Sequence, residues 1–80
     1  MKLKQKIPKR FWTDREWAFS HLDAFQDKYD GLWVAVVDKK VAGVAQGPIS
    51  ARKIAKHKTG KDHIPVVFVE SGQNFFSHTY

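Results

Sequence analysis

The sequence predicts an α+β domain in the order α-β-β-α-β: a three-stranded, mainly antiparallel sheet in the order 2-1-3 with two helices packed on one face. Three observations carry this. An apolar stripe of helical period runs through residues 13–29. Two short runs of β-branched character, residues 32–37 and 41–45, flank a tight polar turn. A second helical segment, residues 50–59, then leads to a third apolar run, residues 64–69. The first strand is the most apolar and takes the centre. The crossover through the second helix sets the third strand on its other side.

In the first helix Thr13 has the character of an N-cap, and Glu16 stands at capping-box spacing from it. Trp12 and Trp17 occupy the positions of a hydrophobic staple. Asp14 and Glu16 put negative charge in the first turn, where the helix dipole favours it. On this reading loss of Thr13 costs about 1 kcal/mol. Ala18, Leu22, Phe25 and Tyr29 make the buried stripe, and Asp30-Gly31 ends the helix. Asp38-Lys39-Lys40 forms the turn of a hairpin, and Gly43 in its return strand weakens that strand or admits a close neighbour. Gly47-Pro48 breaks the chain before a helix with a narrow stripe of Ala51, Ile54 and Ala55, closed by Gly60. Pro65 falls near the start of the last strand, where a missing N–H is tolerated. The organisation is a basic N-terminal arm (residues 1–11), a single α+β domain (residues 12–70) and an aromatic C-terminal tail (residues 71–80).

Both faces of the first strand are apolar: Leu32, Val34 and Val36 on one, Trp33, Ala35 and Val37 on the other. A strand covered on one face only alternates apolar with polar. The third strand repeats the pattern, with Val67 and Val69 opposed to Val66 and Phe68. With both helices on one side, the other side needs a cover, and three are available: a second copy of the chain, its own tail through Phe75, Phe76 and Tyr80, or another protein. Burial of roughly 400 Å² there contributes about 10 kcal/mol before entropy is subtracted. A helix on each face removes the need. The interface candidates are Trp33, Leu32, Val67, Phe68, Phe75 and Phe76.

Composition narrows the functional classes. The 80 residues hold 42% hydrophobic side chains and no cysteine, which suffices for a core and closes the disulfide and thiolate-metal routes. No apolar run approaches the ~20 residues needed to cross a bilayer, so the expectation is a soluble, cytoplasmic protein with no membrane contact. The net charge of +6 is unevenly distributed. Lys2, Lys4, Lys6, Lys9 and Arg10 form one block, Arg52, Lys53, Lys56, Lys58 and Lys61 another, and an acidic stretch with Asp14, Glu16, Asp23, Asp27 and Asp30 lies between.

No catalytic residues and no metal or cofactor site are expected. His21, His57, His63 and His78 show no metal-ligand spacing, and no Gly-rich phosphate loop or nucleophile elbow occurs. Lys9, Arg10, Lys39, Lys40, Lys53, Lys56 and Lys61 are the candidates for sequence-independent contact with phosphates, with Phe11 or Trp12 available to stack on a base. An acidic first helix on the same face as the basic second one would oppose this.

The segment Tyr29-Asp30-Gly31-Leu32-Trp33-Val34-Ala35 and the hairpin after it resemble a prokaryotic family called domain of unknown function 5678. Gly47, the helix around Ala51 and Ala55, and Pro65-Val66-Val67-Phe68-Val69 follow in the family's order, over about residues 12 to 70. The resemblance implies the fold and no activity, with Gly31 and Trp33 structural. The functional expectation is therefore a small non-catalytic interaction module, a homodimer or the accessory of a partner protein; the alternative is a nonspecific nucleic-acid-binding or antitoxin-like regulatory protein. On the two-faced reading, Trp33→Ala unfolds the domain or breaks its assembly at a cost of several kcal/mol, measurable by urea denaturation.

Overall fold

The structure, a computed structural model, describes residues 7–70. The elements run α1 (Lys9–Ser20), α2 (Leu22–Tyr29), β1 (Trp33–Val36), β2 (Val41–Ala45), α3 (Pro48–Thr59) and β3 (Val66–Phe68). The sheet has the order β2-β1-β3, with β1 antiparallel to both neighbours, as the sequence predicts.

The first helix departs from expectation at its start and its middle. It opens at Lys9, with Pro8 as N-cap and the Phe11 N–H donating to the Pro8 carbonyl at 3.0 Å. Lys9, Arg10 and Phe11, assigned to the arm, are thus helical. Thr13 lies inside the helix and its hydroxyl donates to the Lys9 carbonyl, so it is not the cap. Asp14 and Glu16 accordingly lie beyond the first turn, and Trp12 is exposed rather than stapled to Trp17. The helix then breaks at His21. An unbroken helix would carry the His21 N–H to the Trp17 carbonyl. That carbonyl instead accepts from the Ser20 hydroxyl at 2.9 Å and from His21 Nδ1 at 2.8 Å, and the His21 N–H goes to Ala18. Side-chain competition for one acceptor thus separates α1 from α2. The apolar stripe survives the break: Ala18 and Phe25 are buried, with Leu22 and Tyr29 packed beside them.

The two-helices-on-one-face arrangement is corrected. Ala18 and Phe25 pack with Val34, Val36, Val67 and Val69 on one side of the sheet. Ala51 and Ala55 of α3 pack with Ala35, Val37, Ala42 and Ile64 on the other. The two apolar faces of β1 are each covered by a helix of the same chain. The physical reason lies in the small side chains of α3, which let its backbone seat directly on the sheet. A bulge between Ala35 and Val36 gives β2 an extra residue and turns both Ala42 and Gly43 towards α3. A Cβ on Gly43 would stand 2.5 Å from the Ala51 carbonyl oxygen.

Asp14 joins the remaining parts. It is 1% exposed. Its carboxylate accepts from the Asp38 N–H at 2.9 Å, the Lys39 N–H at 3.0 Å and Arg10 Nη1 at 3.1 Å. Arg10 Nη2 continues to the His63 carbonyl at 2.7 Å, between α3 and β3. Asp38 and Lys39 form a two-residue hairpin turn with φ of 55° and 59°, closed by reciprocal bonds between Val37 and Lys40. Such turns match the twist of the strands but favour glycine, aspartate or asparagine. Here a buried carboxylate on α1 satisfies both turn N–H groups.

Gly31, at φ 77°, ends α2, and its N–H bonds the Val69 carbonyl. No atom would meet a Cβ there. The two glycines therefore separate steric from conformational cost. Gly43→Ala is expected to lose about 2 to 3 kcal/mol by forcing α3 off the sheet, and Gly31→Ala about 1 to 2 kcal/mol through the left-handed backbone alone. Urea denaturation of the two variants measures the difference.

Candidate functional site

The outer edges of β2 and β3 pair with no strand among the described residues, and that of β3 borders a groove. The Val69 N–H donates to the Leu32 carbonyl, the Val69 carbonyl accepts from Gly31, and the Pro65 carbonyl accepts from Val36. Residues 65, 67 and 69 thus turn their backbone groups to β1. By antiparallel alternation, Val66 and Phe68 turn theirs outward. β3 has β1 as its sole strand neighbour among the described residues. Pro65 sits at an inward position and leaves the outer edge unblocked.

An open groove of about 640 Å³ follows this edge. Phe19, Leu22, Trp33 and Phe68 supply its apolar lining, and Arg15, Asp23 and Glu70 its charge. Phe19 is 47% and Phe68 43% exposed. The Phe68 ring lies 5.2 Å from Trp33, its opposite neighbour on β1. The Arg15 guanidinium stands 4.8 Å over the Phe19 ring. Phe19 comes to the groove because it lies off the buried Ala18–Phe25 stripe, and the break at His21 sets Leu22 and Asp23 on a separate helix beside it.

The expected interface residues divide. Trp33 and Leu32 are half-buried, and Phe68 is exposed at the groove. Val67 is not surface: its side chain is in the core beneath α1 and α2, because alternation along β3 sends it inward. Phe75 and Phe76 lie outside the described residues. Arg15, Phe19 and Glu70 were not singled out by sequence, and Asp23 figured only in the acidic stretch. Phe19 carried a signal, an aromatic residue off the helical stripe.

The basic candidates also divide. Arg10, expected to meet phosphate, is committed to Asp14 and the His63 carbonyl. Lys9, Lys39 and Lys40 are exposed near the hairpin turn. Lys53, Lys56 and Lys61 are exposed on or just after α3, together with Arg52 and Lys58. Lys56 makes a solvent-exposed ion pair with Asp62 at 3.3 Å. Asp14, Glu16, Asp23 and Asp27 lie on α1 and α2, across the sheet from this helix, where Lys9, Arg10, Arg15 and Lys28 balance them.

Among the described residues no three His, Cys, Asp or Glu side chains group so as to hold a metal ion. No helix among them is long and apolar enough to cross a membrane. No curated protein and no solved structure matches the chain. The description "Family of unknown function (DUF5678)" matches residues 24–72, which contain the whole sheet and α3. By that match over more than half its length, the chain belongs to the DUF5678 family.

Proposed function

We propose that this chain is a small, non-catalytic protein-binding module of the cytoplasm that takes an extended polypeptide segment on the outer edge of β3. The observation that carries this reading is the coincidence of outward backbone groups at Val66 and Phe68 with exposed Phe19 and Phe68 in one groove. Main-chain bonds to an edge strand supply affinity, and flanking apolar side chains supply selectivity. The apolar faces of β1 no longer call for a partner, since α3 covers the second one. The β3 edge with its groove is the surface this reading uses.

Selection of an extended-peptide library against the chain tests this. Binders are expected to shift the amide resonances of Val66 and Phe68 and to be lost in Phe68→Lys. Binders that map to α3 or to the hairpin turn would contradict it.

A second reading, nonspecific nucleic-acid binding through α3, gains from one observation: Asp14, Glu16, Asp23 and Asp27 are on helices at the opposite face of the sheet. Arg52, Lys53, Lys56 and Lys58 then meet phosphate without that repulsion. The expected result is DNA or RNA affinity that falls steeply with salt and is lost in Lys53→Glu/Lys56→Glu with the fold intact. Affinity that is absent at low salt excludes it.

A further inference from the structure

Resting on that reading, we infer that the segment taken by the β3 edge is β3 of a second copy of the chain, joined antiparallel across a two-fold axis at Val67.

The register follows from the direction of the backbone groups. A two-fold axis at Val67 sets Val66 opposite Phe68 of the second copy, and Phe68 opposite its Val66. A hydrogen-bonded antiparallel pair requires both residues to turn their N–H and C=O outward. Val66 and Phe68 are the two strand residues that do so. About four new main-chain bonds result, and the two three-stranded sheets become one. An axis between residues would oppose inward to outward groups and form no such ladder.

The side chains agree with this register. Val66 and Phe68 lie on the α3 side of the sheet, where Trp33 already packs on the Phe68 ring. The pairing lays each exposed Phe68 against Val66 of the other copy, a cross-strand contact of aromatic with β-branched residue. The edge also lacks the usual guards. Residues 64–69 carry no charge, and Pro65 has its missing N–H on the inner side.

The groove carries charge of both signs. Each copy brings one cation, Arg15, and two carboxylates, Asp23 and Glu70. In an isologous interface any contact between Arg15 of one copy and an acid of the other is made twice. The lining charges sum to −1 on a chain of net charge +6, so this groove adds no net positive charge to the mutual repulsion of two copies.

Sedimentation equilibrium from micromolar to near-millimolar concentration, with amide hydrogen exchange at both ends of the range, tests the inference. The expected result is a reversible dimer in which the Val66 and Phe68 amides become protected as concentration rises. Val67 and Val69 amides stay protected throughout. Phe68→Lys is expected to weaken association by more than about tenfold, with Val67 and Val69 protection retained as proof that β3 still pairs with β1. Arg15→Glu is expected to weaken it by roughly fivefold. A dimer without protection at Val66 and Phe68 overturns the inference. So does a strict monomer, and a synthetic peptide of residues 64–70 then separates the two readings. If the peptide shifts the Val66 and Phe68 amides, edge binding stands and self-pairing falls. If it does not, both fall.

Discussion

Asp14 gathers three donors from separate parts of the chain: Arg10 one turn back on α1, and the backbone N–H groups of Asp38 and Lys39 at the hairpin turn. A buried carboxylate is tolerable only when its lone pairs are so occupied, and hydrogen bonds to an ionised acceptor are about twice as strong as neutral ones. The consequences spread from there. The turn holds two non-glycine residues at positive φ, and the carboxylate favours that conformation by taking both of their N–H groups. Arg10 carries the link on to His63, so one end of α1 is tied to the hairpin and to the connection entering β3. With α1 fixed, Arg15 and Phe19 take their places along the groove.

The covering of β1 decides what the molecule has left to offer. α1 and α2 shield Val34 and Val36, and α3 shields Ala35 and Val37, so both apolar faces of β1 are covered by helices of the same chain. A three-stranded sheet still has two edges. Pro65 turned inward and Phe68 turned outward leave the β3 edge able to pair. The functional reading therefore moves from a face of the sheet to its rim, and Phe68 alone among the expected apolar strand residues stays exposed there.

Strand identity and order were legible because apolar runs and polar turns are local signals, and the central place of β1 followed from its two apolar faces. Gly60 as helix end and Gly43 as a point of close approach were legible for the same reason. The side of the sheet taken by α3 was not, because periodicity states that a helix has a buried stripe and not which face receives it. The His21 break was hidden in a continuous stripe, since it arises from Ser20 and His21 competing for the Trp17 carbonyl. Asp14 was read as a helix-dipole residue. Its true partners lie 24 and 25 positions away, and no local pattern reports them.

Urea denaturation of Asp14→Ala, followed by amide exchange at the turn, addresses the role of this carboxylate most directly. Removal strands Arg10 and two turn N–H groups, so the variant is expected to lose about 3 to 5 kcal/mol, or fail to fold. In whatever folded protein remains, the Asp38 and Lys39 amides exchange freely. A loss under about 1 kcal/mol, the cost of an ordinary exposed ion pair, with those two amides as protected as before, would show that α1 is held by other contacts.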